Sequence, residues 1–199
     1  MKISGTSQRT ICVYCGSRPG TLAAFSEAAH TVGTEIGRRG WRLVYGGGRA
    51  GLMGVVADAA LAAGAPVTGV IPESLMQREL GHQGLTELHV VQTMHERKLM
   101  MAQRCDAFLA LPGGIGTFEE LFEVWSWRQL GYHDKPLGLL NVDGYYDAFS
   151  SMMKHAESSG FVTPKQHALL QLDTVPARLL DALGSPAPLA NAVDSYRQI

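Results

Sequence analysis

The sequence predicts a doubly wound α/β fold of Rossmann-like type, with helices on both faces of a mostly parallel sheet. Strand-like apolar runs and helix-like segments alternate almost throughout the 199 residues. Glycine- or serine-containing turns follow three of the apolar runs, and no internal repeat is evident. Strands that alternate with helices form βαβ units, which place parallel strands side by side under helices. We therefore expect residues 1–199 to form a single α/β domain.

The individual elements follow in order along the chain. The predicted strands cover residues 10–14, 42–45, 66–71, 88–91, 107–111 and 137–141. The predicted helices cover residues 22–39, 52–63, 94–105, 117–130 and 145–159. The stretch from 72 to 84 is predicted to be a loop. The Pro, Ala and Ser content after Gly184 predicts a loosely ordered tail over 185–199, and we expect residues 1–9 to be loosely ordered as well.

Length, composition and charge exclude several classes of protein. A chain of 199 residues with 46% hydrophobic residues can bury a core without disulfides or a structural metal. The net charge of −1 gives no electrostatic reason to expect nucleic acid or a membrane surface as a partner. The N-terminal residues are polar, and no segment approaches the ~18 apolar residues that a membrane helix needs. We expect a cytoplasmic protein.

The cysteines and histidines do not indicate a metal or redox site. Three cysteines, an odd number, fit a reducing compartment. Cys12 and Cys15 form a C-x-x-C pattern, but it ends an apolar strand, has no second pair and opens no clear helix. His95 and Glu96 lack the second histidine of a zincin motif because position 99 is leucine. We predict neither a metal nor a cofactor.

Residues 111–120 are the most informative stretch of the chain. Their sequence, L-P-G-G-I-G-T-F-E-E, is typical of a strand that ends in a glycine turn and opens directly onto a helix. Gly113, Gly114 and Gly116 let the backbone present free N–H groups to a ligand. The N-terminus of a helix that starts near Thr117 adds partial positive charge at the same point. The stretch therefore predicts a binding site for phosphate.

Glu120 admits two interpretations. Thr117 and Glu120 have the spacing of a capping box, in which the two side chains bond each other's backbone N–H groups. Alternatively, a carboxylate one turn from a bound phosphate takes part in chemistry. A helical wheel over residues 117–130 separates two faces. The apolar face carries Phe118, Leu121, Phe122 and Trp125. The opposite face carries Glu120, Glu123 and Trp127, which predicts a surface covered by a ligand or a second subunit.

Three turns follow predicted strands, at the end where ligands bind in a doubly wound sheet. Ser17 lies in the turn after the first strand, residues 46–54 contain the turn after the second, and residues 112–117 follow the fifth. Each turn alone is a weak indication. Together on one edge of the sheet they predict a single nucleotide-sized site.

The turn after the second strand also fits a different class of protein. Gly46, Gly48 and Gly51 form a literal G-x-G-x-x-G, and Glu73 follows the next strand near the position of a ribose-binding acid. An NAD(P)-dependent oxidoreductase is therefore an alternative. Against it, the fingerprint follows the second strand here, and a single pyrophosphate does not need another anion-binding loop about sixty residues further on.

The predicted helix at residue 94 begins with two cations. Thr93 and Glu96 have capping-box spacing, so Arg97 and Lys98 lie in the first turn, where positive charge opposes the helix dipole. One interpretation is a solvated pair of cations. The other is that Arg97 faces an anion or a carboxylate at the site.

Three spaced motifs occur in order along the chain: G-G-G-x-x-G-L-M-G at residues 46–54, M-x-x-R-K at 94–98 and P-G-G-x-G-T-x-x-E at 112–120. Together they resemble the Lonely Guy family of cytokinin riboside 5'-monophosphate phosphoribohydrolases, with similarity from about residue 11 to 161. The resemblance implies a homodimeric enzyme that hydrolyses the N-glycosidic bond of a nucleoside 5'-monophosphate. It also implies that Arg97 and Glu120 are the catalytic pair and that the glycine loop holds the phosphate.

The implied substrate is a purine nucleotide, either AMP or a cytokinin-type nucleotide. The expected substrate-binding residues are Ser17, Gly47, Gly48, Met94, Lys98, Gly113, Gly114, Gly116 and Thr117. Breaking the glycosidic bond builds oxocarbenium character on the ribose, which a carboxylate such as Glu120 stabilises. Arginine stays protonated near neutral pH, so Arg97 is expected to bind and position rather than donate a proton. The alternative is a protein that binds the nucleotide as a sensor and does not catalyse a reaction. Such a sensor would need neither Arg97 nor Glu120.

Overall fold

The computed structural model describes residues 8–185, in which seven parallel strands form one sheet covered by helices. The strands are β1 (Thr10–Tyr14), β2 (Arg42–Tyr45), β3 (Val67–Pro72), β4 (Glu87–Val91), β5 (Ala107–Ala110), β6 (Leu137–Leu140) and β7 (Leu170–Asp173). The helices are α1 (Ala23–Arg38), α2 (Gly51–Ala62), α3 (Met94–Gln103), α4 (Ile115–Gln129), α5 (Asp147–Ser158), α6 (Pro164–His167) and α7 (Pro176–Gly184). The predicted doubly wound α/β fold is confirmed.

The strand order β4-β3-β2-β1-β5-β6-β7 reverses direction at β1. The chain builds outward from β1 to β4 on one side, and β5 then pairs with the other edge of β1. The connections that follow β1 and β5 therefore leave toward opposite faces of the sheet. Such a reversal opens a crevice at the carboxyl ends of the two strands, which is where ligands bind in sheets of this type.

The side chains of β1 alternate between two core layers, as the period of a strand requires. Ile11 and Val13 pack in the layer covered by α1, α2 and α7, whereas Cys12 and Tyr14 pack in the layer covered by α3, α4 and α5. Cys15, just past the strand, lies in the first layer. The two thiols of the C-x-x-C pattern therefore belong to different layers, and both are free and buried.

Helices α1 and α2 pack closely together on one face of the sheet. The buried residues of α1 recur at helical spacing and include Phe25, Ala29, Val32 and Ile36. Gly33 lies on the same side, where any side chain would overlap the backbone of α2 at Val56. The two helix axes can therefore approach closely.

The structure continues beyond the elements that the sequence predicts. No element is predicted after residue 159, yet α6, β7 and α7 follow it. Strand β7 and helix α6 each contain only four residues, so their hydrophobic period is too short to detect. Helix α7 completes the core because Leu179, Leu180 and Leu183 are buried in the first layer.

The segments expected to be loosely ordered, 1–9 and 185–199, lie mostly outside the described residues. Gln8 and Arg9 are described, and their side chains donate hydrogen bonds to the carbonyl oxygens of Gly40 and Leu183, at 2.6 Å each. Between residues 8 and 185, no helix combines the length and apolarity that crossing a membrane requires.

Candidate active site

A cavity of about 600 Å³ lies at the carboxyl ends of β1, β2 and β5, where the strand order reverses. Its size falls within the range of ~300–1,000 Å³ that is usual for small-molecule sites. Eight of the residues predicted to form the site line this cavity: Ser17, Met94, Arg97, Gly113, Gly114, Gly116, Thr117 and Glu120. The sequence motifs thus converge on one place in the fold.

The turns after β1, β2 and β5 hold one another in place. The N–H of Gly16 donates to the carbonyl of Pro112 at 3.1 Å, and the carbonyl of Gly16 accepts from the N–H of Leu52 at 3.0 Å. Gly51 has a φ of +57°, and a Cβ there would overlap the backbone of residues 17–18. Only glycine combines this left-handed conformation with so close an approach. The three turns therefore form one connected edge of the cavity.

The loop after β5 enters α4 two residues earlier than the sequence predicts. Gly114 is the N-cap, α4 begins at Ile115, and no side chain caps the helix. Thr117 is buried, with its side chain packed beside Gly113. The capping-box interpretation of Thr117 and Glu120 is therefore wrong. The first N–H groups of a helix have no intrahelical acceptor, and here they belong to residues that line the cavity, which suits a phosphate.

Arg97 is buried in the wall of the cavity, and three groups hold its guanidinium. Nε donates to the carbonyl of Val70 at 3.1 Å, and Nη2 donates to the carbonyl of Gly46 at 2.6 Å. Nη2 also donates to Oε2 of Glu79 at 3.1 Å. Among the described residues, the hydrogen-bond partner of Nη1 is the sulfur of Met94, at 3.9 Å. Nη1 is therefore the nitrogen that can donate to a ligand.

The first turn of α3 places Arg97 in this position. The Thr93 hydroxyl accepts from the N–H of Glu96 at 3.1 Å, and the Glu96 carboxylate accepts from the N–H of Thr93 at 3.3 Å. The predicted capping box is confirmed, and it fixes the direction in which the helix leaves the loop. The interpretation of Arg97 as a solvated cation is wrong, because only 5% of the residue is exposed.

Glu120 lies on the side of α4 that lines the cavity. Burial raises the pKa of its carboxyl group to about 7. The positive charge of Arg97 lowers this pKa, whereas the negative charges of Glu119 and Glu79 raise it. At neutral pH the group is therefore close to the midpoint of its titration. A perturbed carboxyl group beside an arginine in a cleft is typical of a functional site.

Lys98 does not line the cavity, in contrast to its predicted role in substrate binding. Its Nζ donates to Glu119 at 2.5 Å and to Glu123 at 3.0 Å, both on α4. Burial lowers the pKa of the amine, but the hydrogen bonds to the two carboxylates outweigh it, and the pKa is raised overall. Lys98 therefore joins α3 to α4 and does not reach the ligand space directly.

Gly47 and Gly48 also lie behind the lining, although both are predicted to bind substrate. Gly47 has a φ of +76°, and a Cβ on it would lie 3.0 Å from the side chain of Ile71. A Cβ on Gly48 would lie 2.8 Å from the carbonyl oxygen of Glu79. These glycines allow the turn to pack against its neighbours, while Gly46 reaches the cavity.

The helical wheel of α4 is only partly correct. Glu120 faces the cavity and Glu123 binds Lys98. Both carboxylates therefore lie outside the apolar face of the helix, as predicted. Trp127, predicted to point outward beside them, is instead packed against the second core layer. The exposed apolar residues of the helix are Ile115 at 89% and Phe122 at 39%. A wheel assumes one buried face, whereas α4 is covered on more than one side.

The polar residues that line the cavity and are absent from the predicted site include Arg18, Glu79, Glu119 and Tyr145. The Tyr145 hydroxyl donates to the carbonyl of Gly113 and so braces the loop that leads into α4. Tyr145 ends the sequence N-V-D-G-Y at residues 141–145, which directly follows β6, and this place after a strand is a signal that could have identified it. Glu79 lies in the predicted loop between β3 and β4, where no periodic pattern marks it.

The geometry contradicts the dinucleotide-binding alternative. In a fingerprint turn, the N–H groups before the helix must be free to bind a pyrophosphate. Here the N–H groups of Arg49 and Ala50 donate to the carbonyl of Glu79, at 2.9 and 3.3 Å. Glu73, the expected ribose acid, is exposed on a short 3-10 helix and does not line the cavity.

The fold and the site define a class of protein: a doubly wound α/β nucleotide-binding protein with a buried arginine and a carboxyl group at its ligand cavity. Solved structures agree on the fold. The molybdenum cofactor binding protein from the phototrophic bacterium Rippkaea orientalis superposes with a TM-score of 0.68 at 20% identity, over 90% of this chain and 97% of that one. At this identity the similarity concerns the fold alone.

Sequence comparisons then give the family. The family model described as "Possible lysine decarboxylase" matches residues 53–183. A cytokinin riboside 5'-monophosphate phosphoribohydrolase from Arabidopsis thaliana is 46% identical over 193 residues, covering 94% of this chain and 90% of that protein. The protein of the same name from Rhodococcoides fascians is 52% identical over 157 residues, or 78% and 79% of the two chains. The chain belongs to the Lonely Guy family of these phosphoribohydrolases.

Proposed function

We propose that this chain hydrolyses the N-glycosidic bond of a purine nucleoside 5'-monophosphate to the free base and ribose 5-phosphate. Water supplies the hydroxyl group that remains on C1' of the ribose and the proton that leaves with the base. The observation that carries the proposal is that Arg97 and Glu120 share one cavity with a helix N-terminus suited to phosphate. Membership of a family whose members are named for this activity supports it.

The 5'-phosphate binds at the N-terminus of α4. A Cβ on Gly114 or Gly116 would meet no atom within 4 Å, so there is open space beside this backbone. The first N–H groups of the helix and its dipole together favour a doubly charged anion. Arg18, exposed at the rim of the same cavity, adds a positive charge.

The ribose lies between this loop and Glu120. As the bond from C1' to the base nitrogen breaks, positive charge develops on the sugar, and the ionised carboxylate of Glu120 stabilises it. Arg97 remains protonated and donates from Nη1 to a bound oxygen or nitrogen. Because the ionised form of Glu120 is needed, activity is lost as the pH falls through its pKa of about 7.

The base occupies the apolar part of the cavity. Met53, Leu75, Met94 and Met101 supply this part of the lining. Flat apolar surfaces suit a purine ring, and flexible methionine side chains adapt to substituents of different size. Adenine in AMP and an N6-modified adenine of cytokinin type are the proposed bases, and the names of the relatives favour the second.

We also propose that the protein acts as a homodimer in the cytoplasm and does not bind nucleic acid. Ile115 and Phe122 on α4 and Leu99 on α3 are large apolar residues that are exposed. Large apolar side chains exposed on two helices that Lys98 joins favour contact with another protein surface. Three free thiols fit a reducing compartment.

The proposed function is tested by incubating the purified protein with AMP, N6-prenylated AMP and GMP. Chromatography should detect free base and ribose 5-phosphate in equal amounts, with at least one adenine nucleotide as a substrate. A catalytically idle sensor would bind the nucleotide, as measured by calorimetry, and release no base. That outcome would overturn the proposed activity.

A further inference from the structure

Glu79 lines the cavity and contacts the guanidinium of Arg97. Its Oε2 accepts from Nη2 of Arg97 at 3.1 Å, and only 18% of the Glu79 side chain is exposed, against 5% for Arg97. A charge-assisted hydrogen bond with so little access to solvent is strong and geometrically specific. The pair therefore influences the direction in which the guanidinium points.

The backbone of Glu79 is held by the turn after β2. Its carbonyl accepts hydrogen bonds from the N–H groups of Arg49 and Ala50. Gly48 lies so close to this carbonyl that a side chain at position 48 would displace it. The turn thus holds Glu79 from one side, while Arg97 contacts its carboxylate from the other.

The neighbours of Glu79 hold the segment as well. Leu80 has a φ of +52°, a left-handed conformation that a residue with a branched side chain rarely adopts. The N–H of His82 donates to the carbonyl of Gly47 at 2.9 Å, and the His82 ring bonds Asp58 at 2.9 Å. A strained residue between two anchored positions indicates that the fold specifies where Glu79 lies.

Arg97 interacts electrostatically with two carboxyl groups in the cavity, Glu79 and Glu120. Without Glu79, the guanidinium would be drawn toward Glu120. An ion pair there would engage the carboxylate that the ribose requires. The other charged or titratable groups that act on Glu120 are Lys98 on α3, Glu119 on α4, and Cys12, Tyr14 and Cys15 in and after β1.

We propose that Glu79 is a positioning residue that holds Arg97 through Nη2, so that Nη1 faces the substrate and Glu120 stays free to act on the ribose. Glu79 acts through Arg97 rather than on the reacting atoms. This inference rests on the proposed phosphoribohydrolase function, and a measurement without turnover separates the two.

The kinetic test compares Glu79→Ala and Glu79→Gln with the wild-type chain on its best nucleotide. We expect Glu79→Ala to lower kcat about 10-fold or more and to change KM less than about 3-fold, because the phosphate loop is intact. Glu79→Gln keeps an acceptor for Nη2 and should recover part of the loss. Glu73→Gln removes an exposed carboxylate from the same segment and should behave as wild type. Unchanged kcat in Glu79→Ala would overturn the proposal.

The second test follows the titration of Glu120 by 13C NMR, with the resonance assigned by Glu120→Gln. Removing the charge of Glu79 lowers the pKa of Glu120 and leaves Arg97 free to lower it further. We expect a decrease of about half a unit or more in Glu79→Ala, a smaller decrease in Glu79→Gln because its amide oxygen still accepts from Nη2, and no change in Glu73→Gln. Equal decreases in the two Glu79 variants, or none in either, would contradict the proposal.

The two tests distinguish a failure of the proposed function from a failure of the positioning role of Glu79. If the wild-type chain releases no base, the proposed function fails, and the titration of Glu120 alone decides whether Glu79 positions Arg97. If the wild-type chain is active and neither variant of Glu79 differs from it, the positioning role fails and the proposed function stands. Should Glu79→Ala not fold, Glu79→Met, which is similar in length and has no oxygen for Nη2, replaces it in both measurements.

Discussion

Gly46 contacts Arg97 directly through its backbone, because its carbonyl oxygen accepts a hydrogen bond from Nη2 of Arg97 at 2.6 Å. A Cβ at position 46 would overlap the same nitrogen. This contact connects the turn after β2 to the first turn of α3. A glycine that appears to belong to a dinucleotide fingerprint therefore makes room for the arginine of a different site.

Replacement of Gly46 by alanine should displace the guanidinium and reduce turnover. We expect Gly46→Ala to lower kcat by about 10-fold or more, since a shift of about 1 Å at a catalytic group has effects of this order or larger. Steady-state kinetics on AMP or N6-prenylated AMP measure the effect, and the melting temperature shows whether the variant is folded at the assay temperature. A folded variant with wild-type kcat would show that the position of Arg97 is not critical.

Lys98 should contribute to stability and little to substrate binding. Lys98→Met removes the amine between Glu119 and Glu123, and leaving partly buried carboxylates without their partner costs on the order of 1–3 kcal/mol. The melting temperature should fall, while KM for the nucleotide should change less than about 3-fold. A rise in KM of about 10-fold or more in the folded variant would contradict this prediction and show that Lys98 contributes to substrate binding.

The phosphate should supply much of the binding energy. If the N-terminus of α4 holds it, adenosine should have a kcat/KM at least ~100-fold below that of AMP, which corresponds to roughly 2.7 kcal/mol. The comparison uses the base that the enzyme prefers, so that only the phosphate differs. Similar values for nucleoside and nucleotide would contradict the role assigned to the loop of residues 112–117.

The half-buried carboxyl group of Glu120 should cost stability at high pH. Its pKa is about 7 in the folded chain, against an ordinary value of 4.5, so folding favours the protonated form. The contribution to stability is fully present below pH 4.5 and is lost as the pH rises through 7. Glu120→Gln stays neutral and should exceed wild type in stability at pH 8 by on the order of 2 kcal/mol, but not at pH 4.5. Denaturant unfolding at both pH values measures this difference, and an equal difference at both would contradict the raised pKa.

The sequence predicts the central elements well, because their hydrophobic periods are long and their turns are marked by glycine. Strands β1 to β6 and helices α1 to α5 begin and end within two residues of the predicted positions. The position of Arg97 and Glu120 in the first turns of helices that follow strands marks them as candidates, and the family resemblance implies that they form the catalytic pair. The start of α4 could not be predicted, because Gly114 serves as N-cap without a side chain that marks it.

Contacts between distant segments could not be predicted from local pattern. Glu79 lies 18 residues before Arg97 in the chain, and the two meet only because the loop between β3 and β4 folds back onto the turn after β2. The helical wheel predicts an outward Trp127 because a wheel does not include the neighbouring core layer, against which this side chain packs. Lys98 binds two carboxylates of α4, a pairing that depends on how two helices lie against each other.

The catalytic role proposed for Glu120 depends on its negative charge. Glu120→Gln keeps the size and most of the polarity of the side chain but cannot carry the negative charge that the developing oxocarbenium ion needs. The decisive measurement is kcat of Glu120→Gln at pH 8, with Glu73→Gln as the control and nucleotide affinity measured by calorimetry. We expect kcat to fall about 100-fold or more, a loss of roughly 2.7 kcal/mol of transition-state stabilisation, with binding of AMP retained. A folded Glu120→Gln variant with near wild-type kcat would show that the carboxylate is structural and would contradict the catalytic assignment.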